Sequence, residues 1–254
     1  MQLLSPAKVN LSLRILGKRE DGYHEIDTRI QAVSLFDTLE LALAKSDSFT
    51  CSDPFLSDKN SNLAWRAVEA FRLKAKINEP LHLHLEKKIP YQAGLGGGSG
   101  NAATALFAMN KLFNALLSPE ELLTLGASLG SDVPFFFSCG SARCRGRGEK
   151  VEEVEPFTER LTIVKPPLSL STSDVYAALK LSSNASGLHQ NDLEAAAFEV
   201  LPDLFAFKEK LKKSGFHTVN LCGSGSAFYC LGDGDSTLGV QVIPARRTKD
   251  NWYS

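Results

Sequence analysis

The stretch IPYQAGLGGGSGNAATAL, residues 89–106, places five glycines between Gly94 and Gly100 and then continues into an alanine-rich run. A glycine within a regular element costs about 0.5–1 kcal/mol relative to alanine, so such a cluster needs a physical reason. The alternating LHLHL of residues 81–85 and the apolar periodicity after the glycines predict the order strand, glycine loop, helix. The first N–H groups of a helix lack intrahelical partners and carry the positive end of the macrodipole, so they attract anions. We therefore predict a phosphate-binding loop, with a packing loop that holds no ligand as the alternative.

Three known glycine motifs do not fit this loop. A P-loop ends in Gly-Lys-Ser/Thr, but here Gly98 is followed by Ser99. A dinucleotide fingerprint needs a third glycine where this chain has Ser99 after Gly94 and Gly96. A nucleophile elbow needs glycine two residues beyond its serine, and Asn101 stands there. Any phosphate binding must therefore use a different motif.

The composition is typical of a globular protein without a large field of one sign. The chain has 254 residues, 43% of them hydrophobic, and 28 basic and 29 acidic residues give a formal net charge of -1, which argues against nucleic acid as a partner. Pro6, Lys8 and Asn10 interrupt the apolar core that a signal peptide would need, and no apolar run reaches the length of a membrane span. The five cysteines form no C-x-x-C pair, which favours reduced thiols over a disulfide framework or a zinc ribbon. These features predict a cytoplasmic protein that does not bind membranes.

Residues 7–16 alternate between apolar and polar positions, as in a half-buried strand. The apolar side would hold Val9, Leu11, Leu13 and Ile15, and the polar side Lys8, Asn10, Ser12 and Arg14. We further predict a strand over residues 30–43, helices over 62–74 and 203–213, a helix opening with a capping box at 118–121, and two strands joined by a glycine turn over 219–232. A change in amino-acid composition after Gly148 predicts a domain boundary near residue 149.

The pattern P-x-x-x-G-L-G over Pro90–Gly96 resembles the phosphate-binding motif of the kinase superfamily named for galactokinase, homoserine kinase, mevalonate kinase and phosphomevalonate kinase. Three further stretches extend the resemblance in the right order over nearly the whole chain: SPAKVNLSLRILGKREDGYHEI at 5–26, GSDVPFF at 130–136 and CGSGSAF at 222–228. The combination is most similar to the branch that acts on 4-diphosphocytidyl-2-C-methyl-D-erythritol. The resemblance implies an α+β fold with two domains. Residues 1–148 would form an ATP-binding domain like domain 2 of ribosomal protein S5, and residues 149–254 a ferredoxin-like α/β sandwich on the substrate side, in a monomer or weak homodimer.

The activity implied by the resemblance is ATP-dependent phosphorylation of the 2-hydroxyl of a small substrate with a cytidine diphosphate group, in the non-mevalonate isoprenoid pathway. Asp132 would accept the hydroxyl proton, and Lys8 would keep that carboxylate charged and steady the transferring phosphoryl group. Mg²⁺ would arrive with ATP. The implied ATP contacts are Asn62, Lys87, Pro90, Tyr91, Gln92, Ala93, Gly94, Leu95, Gly96, Gly97, Gly98, Ser99 and Gly100, and the implied substrate contacts are Asn10, Tyr23, His24, Thr172 and Tyr176.

One departure concerns the metal. Members of the family commonly carry two serines after the glycines, whereas here Ser99 is followed by Gly100. A metal anchored by the second hydroxyl would lose that ligand, so the metal ligands stay unassigned.

Other interpretations stay open at the level of sequence. Lys8 could be a solvated strand lysine, Asp132 a helix N-cap, and Tyr23 and His24 surface residues of a turn. His82 and His84 share a strand face without a third metal ligand, which favours a surface role. Two further sets remain undecided between ligand contact and an ordinary structural role: Arg143, Arg145 and Arg147 on one extended segment, and Gly223 and Gly225 in the predicted turn.

Two other functions compete with this hypothesis. A different kinase of the same superfamily would not need the D-G-Y-H stretch at residues 21–24, since its substrate carries no cytosine to stack. A nucleotide-binding module without turnover would not need both Lys8 and Asp132.

Overall fold

A computed structural model describes residues 1–180, 187–248 and 251–253, which form two sheets flanked by helices. The strands within these ranges are β1 (Gln2–Lys18), β2 (His24–Leu43), β3 (Ser48–Cys51), β4 (Leu81–Glu86), β5 (Ser141–Gly146), β6 (Lys150–Glu153), β7 (Leu161–Val164), β8 (Thr218–Leu221), β9 (Phe228–Leu231) and β10 (Val240–Val242). The α-helices are α1 (Leu63–Ala75), α2 (Gly97–Leu112), α3 (Pro119–Leu129), α4 (Thr172–Ala178), α5 (Leu193–Val200) and α6 (Asp203–Lys213), with 3₁₀ turns at Pro54–Leu56, Pro134–Phe137 and Ser236–Leu238.

The first sheet is built around the long antiparallel hairpin of β1 and β2. One edge of β2 pairs with β1, and its other edge pairs with β5 near the start of β2 and with β4 near its end. The resulting order is β3-β4-β2-β5-β6, and β3 and β4 are parallel. Apolar faces of α1, α2 and α3 pack on this sheet around Trp65, Phe71 and Leu106 and form the largest hydrophobic core.

A β-bulge in β1 changes which side chains share a face. Asn10 pairs with Ile30 and Ser12 with Arg29, so Leu11 is an extra residue without its own partner. Lys8 and Asn10 therefore face the same cavity as Leu13, whereas Ser12 and Arg14 border a separate cavity. The predicted single polar face over 8–14 is thus wrong, because simple alternation cannot continue through a bulge.

The predicted half-buried state of residues 7–16 is confirmed over 11–15, where buried and partly exposed residues alternate, but is wrong over 7–10. Residues 5–11 are buried on both faces. Ala7, Val9 and Leu11 pack against the second sheet with Ile163 and Tyr229. A charged residue at position 8 is therefore held inside the protein and not at a solvated strand edge.

The second sheet is antiparallel, in the order β10-β7-β9-β8. Helices α4, α5 and α6 pack on β7, β8 and β9 in a separate core that also includes Leu13 and Ile15 of β1. The free edge of β1 bonds to the second half of the chain, with Leu13 N donating to Gln190 O at 2.8 Å and His189 N donating to Leu11 O at 2.6 Å. Strand β1 therefore joins the two parts of the molecule.

Most predicted elements are confirmed within one to six residues at their ends. The α+β fold with two sheets, the helix over 203–213, the capping box at Ser118 and the β8–β9 hairpin are all present. The helix after the glycine loop begins earlier than expected, at Gly97. Strand β6 pairs with β5 in the first sheet, and the domain boundary near residue 149 stays a prediction. Among the described helices, none combines the length and apolar character needed to cross a bilayer.

Candidate active site

A cavity of about 960 Å³ lies where β1, the glycine loop and α4 meet the β8–β9 turn. Of the residues predicted to act in catalysis, ATP binding or substrate binding, Gly100 alone does not line it. The cavity thus brings together Lys8, Asn10, Tyr23, His24, Asn62, Lys87, residues 90–99, Asp132, Thr172 and Tyr176.

The glycine loop ends as the first turn of α2. Gly96 is the N-cap, with φ of 67°, and no side chain caps the helix. The first intrahelical bond runs from Gly100 N to Gly96 O at 2.9 Å, so the N–H groups of Gly97, Gly98 and Ser99 have no acceptor within the helix. Three donors and the positive helix end therefore point into the cavity, the arrangement expected at an anion site.

The glycines serve packing as well as access. A Cβ at Gly94 would lie 1.8 Å from Cys222 O, and one at Gly96 would lie 2.7 Å from Lys8 Cγ. A Cβ at Gly98, by contrast, would meet nothing within 4 Å. The packing and ligand interpretations of the loop are therefore compatible. Close packing at Gly94 and Gly96 holds the loop in place, and the loop at Gly98 is open to the cavity.

Gly100 faces away from the cavity. It is buried against β1, where a Cβ would lie 2.8 Å from Pro6 O and 3.2 Å from Ser5 Oγ. The predicted ATP contact at Gly100 has no support in this position, because its N–H already donates to Gly96 O within the helix and its Cβ position faces β1. Close approach of α2 to β1 explains why glycine stands there.

Lys8 and Asp132 form an ion pair on the cavity wall. Lys8 Nζ lies 3.4 Å from Asp132 Oδ2 and also donates to Asn10 Oδ1 at 2.7 Å and to Gly94 O at 2.9 Å. Lys8 is only 4% exposed, whereas the Asp132 side chain is 33% exposed. The N-cap interpretation of Asp132 is wrong, since Val133 caps the following 3₁₀ turn without a side-chain bond. The ammonium is fixed by three acceptors, and the carboxylate remains accessible.

A second buried ion pair supports the loop from below, and sequence analysis missed most of it. Lys87 Nζ contacts Asp37 Oδ2, and the fully buried Asp37 also accepts from the backbone N–H groups of Lys88 and Ile89. Asn101 in α2 donates to the same carboxylate at 2.9 Å and accepts from Lys87 Nζ at 3.3 Å. The network ties the end of β4 to the first turn of α2. An isolated aspartate in a strand pattern gave no local signal of this role.

Asn62 is buried in the cavity wall, and both ends of its side-chain amide are bonded within the protein. Its Oδ1 caps α1 by accepting from Ala64 N at 3.0 Å, and its Nδ2 donates to Leu56 O at 2.9 Å. Nearby, Phe55 projects at the cavity mouth with 92% of its surface exposed. The asparagine therefore shapes a loop whose exposed aromatic ring borders the cavity.

At the other end of the cavity, aromatic side chains gather around His24. The His24 and Tyr176 rings lie 5.0 Å apart between centroids and are tilted by 32°. Burial lowers the pKa of His24, with the charge of Lys18 acting in the same direction, and burial raises the pKa of Tyr176 to about 12. Thr172 Oγ1 lies 2.8 Å from Ser224 Oγ in the β8–β9 turn. A neutral imidazole and a neutral phenol thus face this end.

The three arginines of β5 and its following turn separate into different roles. Arg147 lines the cavity with its guanidinium 4.5 Å from the centre of the Tyr23 ring, and Tyr23 is 51% exposed. Arg143 pairs with Asp27 instead, and Arg145 Nη1 lies 3.5 Å from Glu152. Only the last arginine of the segment is placed to meet a ligand in this cavity.

The glycine turn between β8 and β9 also reaches the cavity. Gly223 lines it, and a Cβ there would lie 3.2 Å from Asn10 Oδ1. Asn191 fixes the turn by donating to Gly223 O at 2.7 Å. A Cβ at Gly225 would instead lie 2.9 Å from Leu221 Cδ1, so Gly223 is the site-facing glycine and Gly225 serves the turn.

Histidine and acidic clusters give no metal centre in the described ranges. There, no group of three His, Cys, Asp or Glu side chains could hold a metal ion. His82 and His84 bond to Ser48 and Thr50 of the parallel strand β3, each at 2.8 Å, as surface side chains would.

Comparisons with known proteins identify the family. The profile of the GHMP kinases N terminal domain matches residues 62–140. A 4-diphosphocytidyl-2-C-methyl-D-erythritol kinase from Protochlamydia amoebophila is 44% identical over 268 residues, which cover all of this chain and 93% of the relative.

Two solved structures share the fold. A crystal structure of 4-(cytidine 5'-diphospho)-2C-methyl-D-erythritol kinase superposes with a TM-score of 0.81 and 32% identity over 96% of this chain and 99% of that one. A homoserine kinase from Cytophaga hutchinsonii superposes with a TM-score of 0.70 at 19% identity over 94% and 86% of the chains, which shows a shared fold alone. The full-length similarity and the shared architecture together show that the chain belongs to the 4-diphosphocytidyl-2-C-methyl-D-erythritol kinase family and is a phosphate-transferring enzyme of the GHMP kinase fold.

Proposed function

We propose that this protein transfers the γ-phosphoryl group of ATP to the 2-hydroxyl of 4-diphosphocytidyl-2-C-methyl-D-erythritol, a step of the non-mevalonate route to isoprenoids. The observation that carries the proposal is the Lys8–Asp132 ion pair in the same cavity as the free N–H end of α2. A base, a cation and an anion-binding helix end are the parts that phosphoryl transfer to an alcohol needs.

Asp132 acts as the general base. Its exposed oxygen accepts the proton of the 2-hydroxyl while that oxygen attacks the γ-phosphorus, and the bond from phosphorus to the β-phosphate oxygen breaks to release ADP. Lys8 stands beside both groups, so its ammonium offsets negative charge that spreads over the transferring phosphoryl oxygens. Three acceptors hold Lys8 in place, which fixes its position before substrate arrives.

The ATP side is formed by the loop and its neighbours. The N–H groups of Gly97, Gly98 and Ser99 hold phosphate oxygens, and Lys87 adds a positive charge beside them. Residues 90–96 form the wall along the triphosphate of ATP, and Asn62 positions the loop that borders the adenine ring.

The residues on the substrate side recognise the cytidine group. His24 is neutral near pH 7 because burial lowers its pKa, so one ring nitrogen can donate to and the other accept from the edge of cytosine. Tyr23 and Tyr176 offer ring faces for stacking, Thr172 closes that end, and Asn10 orients the hydroxyl-bearing part next to Lys8.

Mg²⁺ fits this site as a companion of ATP. The cavity offers the Ser99 hydroxyl and the Asp132 carboxylate, and Mg²⁺ commonly uses one or two protein oxygens with substrate phosphates and water. When bound, the ion would neutralise charge on the β- and γ-phosphates. Ser99 is the protein hydroxyl that we propose for it, since Gly100 offers none.

The proposed setting is the cytoplasm, with the chain as a monomer or weak homodimer that binds neither nucleic acid nor membranes. The balanced charge and the odd number of cysteines without a C-x-x-C pair support this setting.

A coupled assay of ADP release tests the function. The cytidyl substrate should be turned over and mevalonate and homoserine should not. Turnover of either of those two in its place would assign another kinase of the superfamily. No turnover with any substrate would favour a binding module.

Asp132→Asn tests the mechanism. The variant should lower kcat by roughly 10²- to 10⁴-fold, the usual contribution of a general base, with ATP affinity nearly unchanged. Asp174→Asn, at an exposed acid in α4 outside the cavity, is the matched control and should keep the wild-type rate. A wild-type rate for Asp132→Asn would remove this residue from the reaction.

A further inference from the structure

A second cavity, of about 420 Å³, lies behind the first sheet and is rich in arginine. It is lined by Ser12 and Arg14 of β1, Asp27 and Arg29 of β2, Arg143 of β5, and Val154, Glu155 and Gly187. The bulge at Leu11 directs Lys8 and Asn10 into the active-site cavity and Arg14 into this one. The two cavities therefore share strands but use opposite faces.

The guanidinium groups are placed where they repel each other. Arg29 stands directly opposite Arg143 in the β2–β5 register, and like charges at directly opposed positions destabilise a sheet. Arg14 comes from the neighbouring strand, where it pairs with Asp27 in register. Three positive side chains thus meet across three adjacent strands.

Of these three arginines, only Arg143 forms an ion pair with a carboxylate among the described residues. Asp27 binds Arg143 through both oxygens, at 2.7 and 2.5 Å, and this contact is the main reason that the pKa of Asp27 lies below its usual value. Arg29 donates only to the backbone oxygen of Glu155, at 2.7 Å, and its buried Nε finds no acceptor among the described residues. Arg14 forms no ion pair within the described part of the chain.

Like charges held together without a counter-charge are destabilising, and arginine pairs phosphate through parallel N–H bonds. We infer that this cavity is a second anion site, which binds a small molecule bearing a phosphate or diphosphate group between Arg14, Arg29 and Arg143. The negative charge of the ligand would pair with Arg14 and remove the repulsion between Arg29 and Arg143 across β2 and β5. This site is separate from the glycine loop and does not depend on the proposed reaction.

Titration of the full-length protein with inorganic pyrophosphate by isothermal calorimetry tests the inference. The active-site cavity is first filled with a non-hydrolysable ATP analogue, without free divalent metal, so that the loop is not available. We expect one further equivalent of pyrophosphate to bind, and Arg14→Gln and Arg143→Gln to weaken it at least tenfold. Arg145→Gln removes the same charge from the same strand outside the cavity, so it is the matched control and should change the affinity less than twofold.

Asp27→Asn provides a test of opposite sign. It removes the carboxylate that occupies Arg143, so the anion should bind severalfold more tightly, a gain that misfolding cannot produce. The inference is overturned if no further equivalent binds, if Arg145→Gln weakens binding as much as Arg14→Gln, or if Asp27→Asn weakens it. Kinase turnover without a second equivalent would overturn this site alone and leave the proposed reaction intact.

Discussion

The stability of the glycine loop should depend strongly on the buried ion pair of Asp37 and Lys87. In Asp37→Asn, Oδ1 can still accept from the backbone N–H groups of Lys88 and Ile89, but an amide nitrogen then faces Lys87 Nζ and Asn101 Nδ2, which are both donors. Removing one partner of a buried pair usually costs about 3–5 kcal/mol. The Lys87 ammonium borders the cavity and can turn toward solvent, so we expect a loss near the lower end, about 3 kcal/mol.

A double-mutant cycle separates the ion pair from general damage. For a chain of this size, 1 kcal/mol lowers Tm by roughly 2–4 °C, so Asp37→Asn should lower Tm by about 6–12 °C in calorimetry. Asp37→Asn combined with Lys87→Met leaves no unpaired buried charge, and this double variant should regain about 1–2 kcal/mol relative to the sum of the single changes. Lys88→Met, at the exposed neighbour, should stay within about 0.5 kcal/mol of wild type.

The kinetics of Asp37→Asn show which end of the cavity the ion pair supports. Asp37→Asn should raise KM for ATP more than KM for the cytidyl substrate, because the network positions α2 and not the cytidine end. The reasoning fails if Asp37→Asn unfolds within 1 kcal/mol of wild type, or if the double variant is no more stable than additivity requires.

Three further predictions concern backbone contacts and pH. Gly94→Ala should abolish ATP binding and lower Tm in calorimetry, because its Cβ would lie 1.8 Å from Cys222 O at a φ of +74°; Gly17→Ala, which meets nothing within 4 Å, should do neither. Gly100→Ser should destabilise the protein by about 1–3 kcal/mol in urea unfolding, because a backbone carbonyl of β1 lies 2.8 Å from its Cβ position, and a stable variant would contradict the close approach. Burial lowers the pKa of His24 below its usual value, so its imidazole stays neutral at pH 7 and protonates only at a pH below the ordinary histidine pKa of about 6.5. KM for the cytidyl substrate should therefore stay constant near pH 7 and rise only below the ordinary histidine pKa, while KM for ATP changes less. A parallel rise of both would argue against cytosine recognition by this residue.

Local patterns in the sequence predict α1, α2, α3 and α6 and several strands, because burial imposes their periodicity, but they do not predict α4 and α5. The capping box at Ser118 and the 203–213 helix depend on neighbours within a few residues, and both are found. The resemblance of the motifs around Lys8 and Asp132 to the family pattern implies that they meet, although the two residues lie far apart in the chain, and the structure places them 3.4 Å apart.

Other features depend on contacts that no local pattern encodes. The bulge at Leu11 needs the register of β2 to be seen, and the role of Gly100 depends on how closely α2 approaches β1. Asp37 looks like an ordinary polar strand residue until β4 and α2 bring donors to it. Residues that act through distant partners are the ones that sequence analysis missed.

The division of labour within the cavity follows from burial. The groups proposed for chemistry, Lys8 and the first turn of α2, belong to a strand and a helix that are packed on several sides, so their positions are set before any ligand binds. The groups proposed for recognition include Tyr23 and Phe55, whose rings are largely exposed at the rim. Phosphoryl transfer depends on fixed charge, whereas stacking tolerates small adjustments of a ring. Substitutions at the rim should consequently change KM first, and substitutions around β1 should change kcat and stability together.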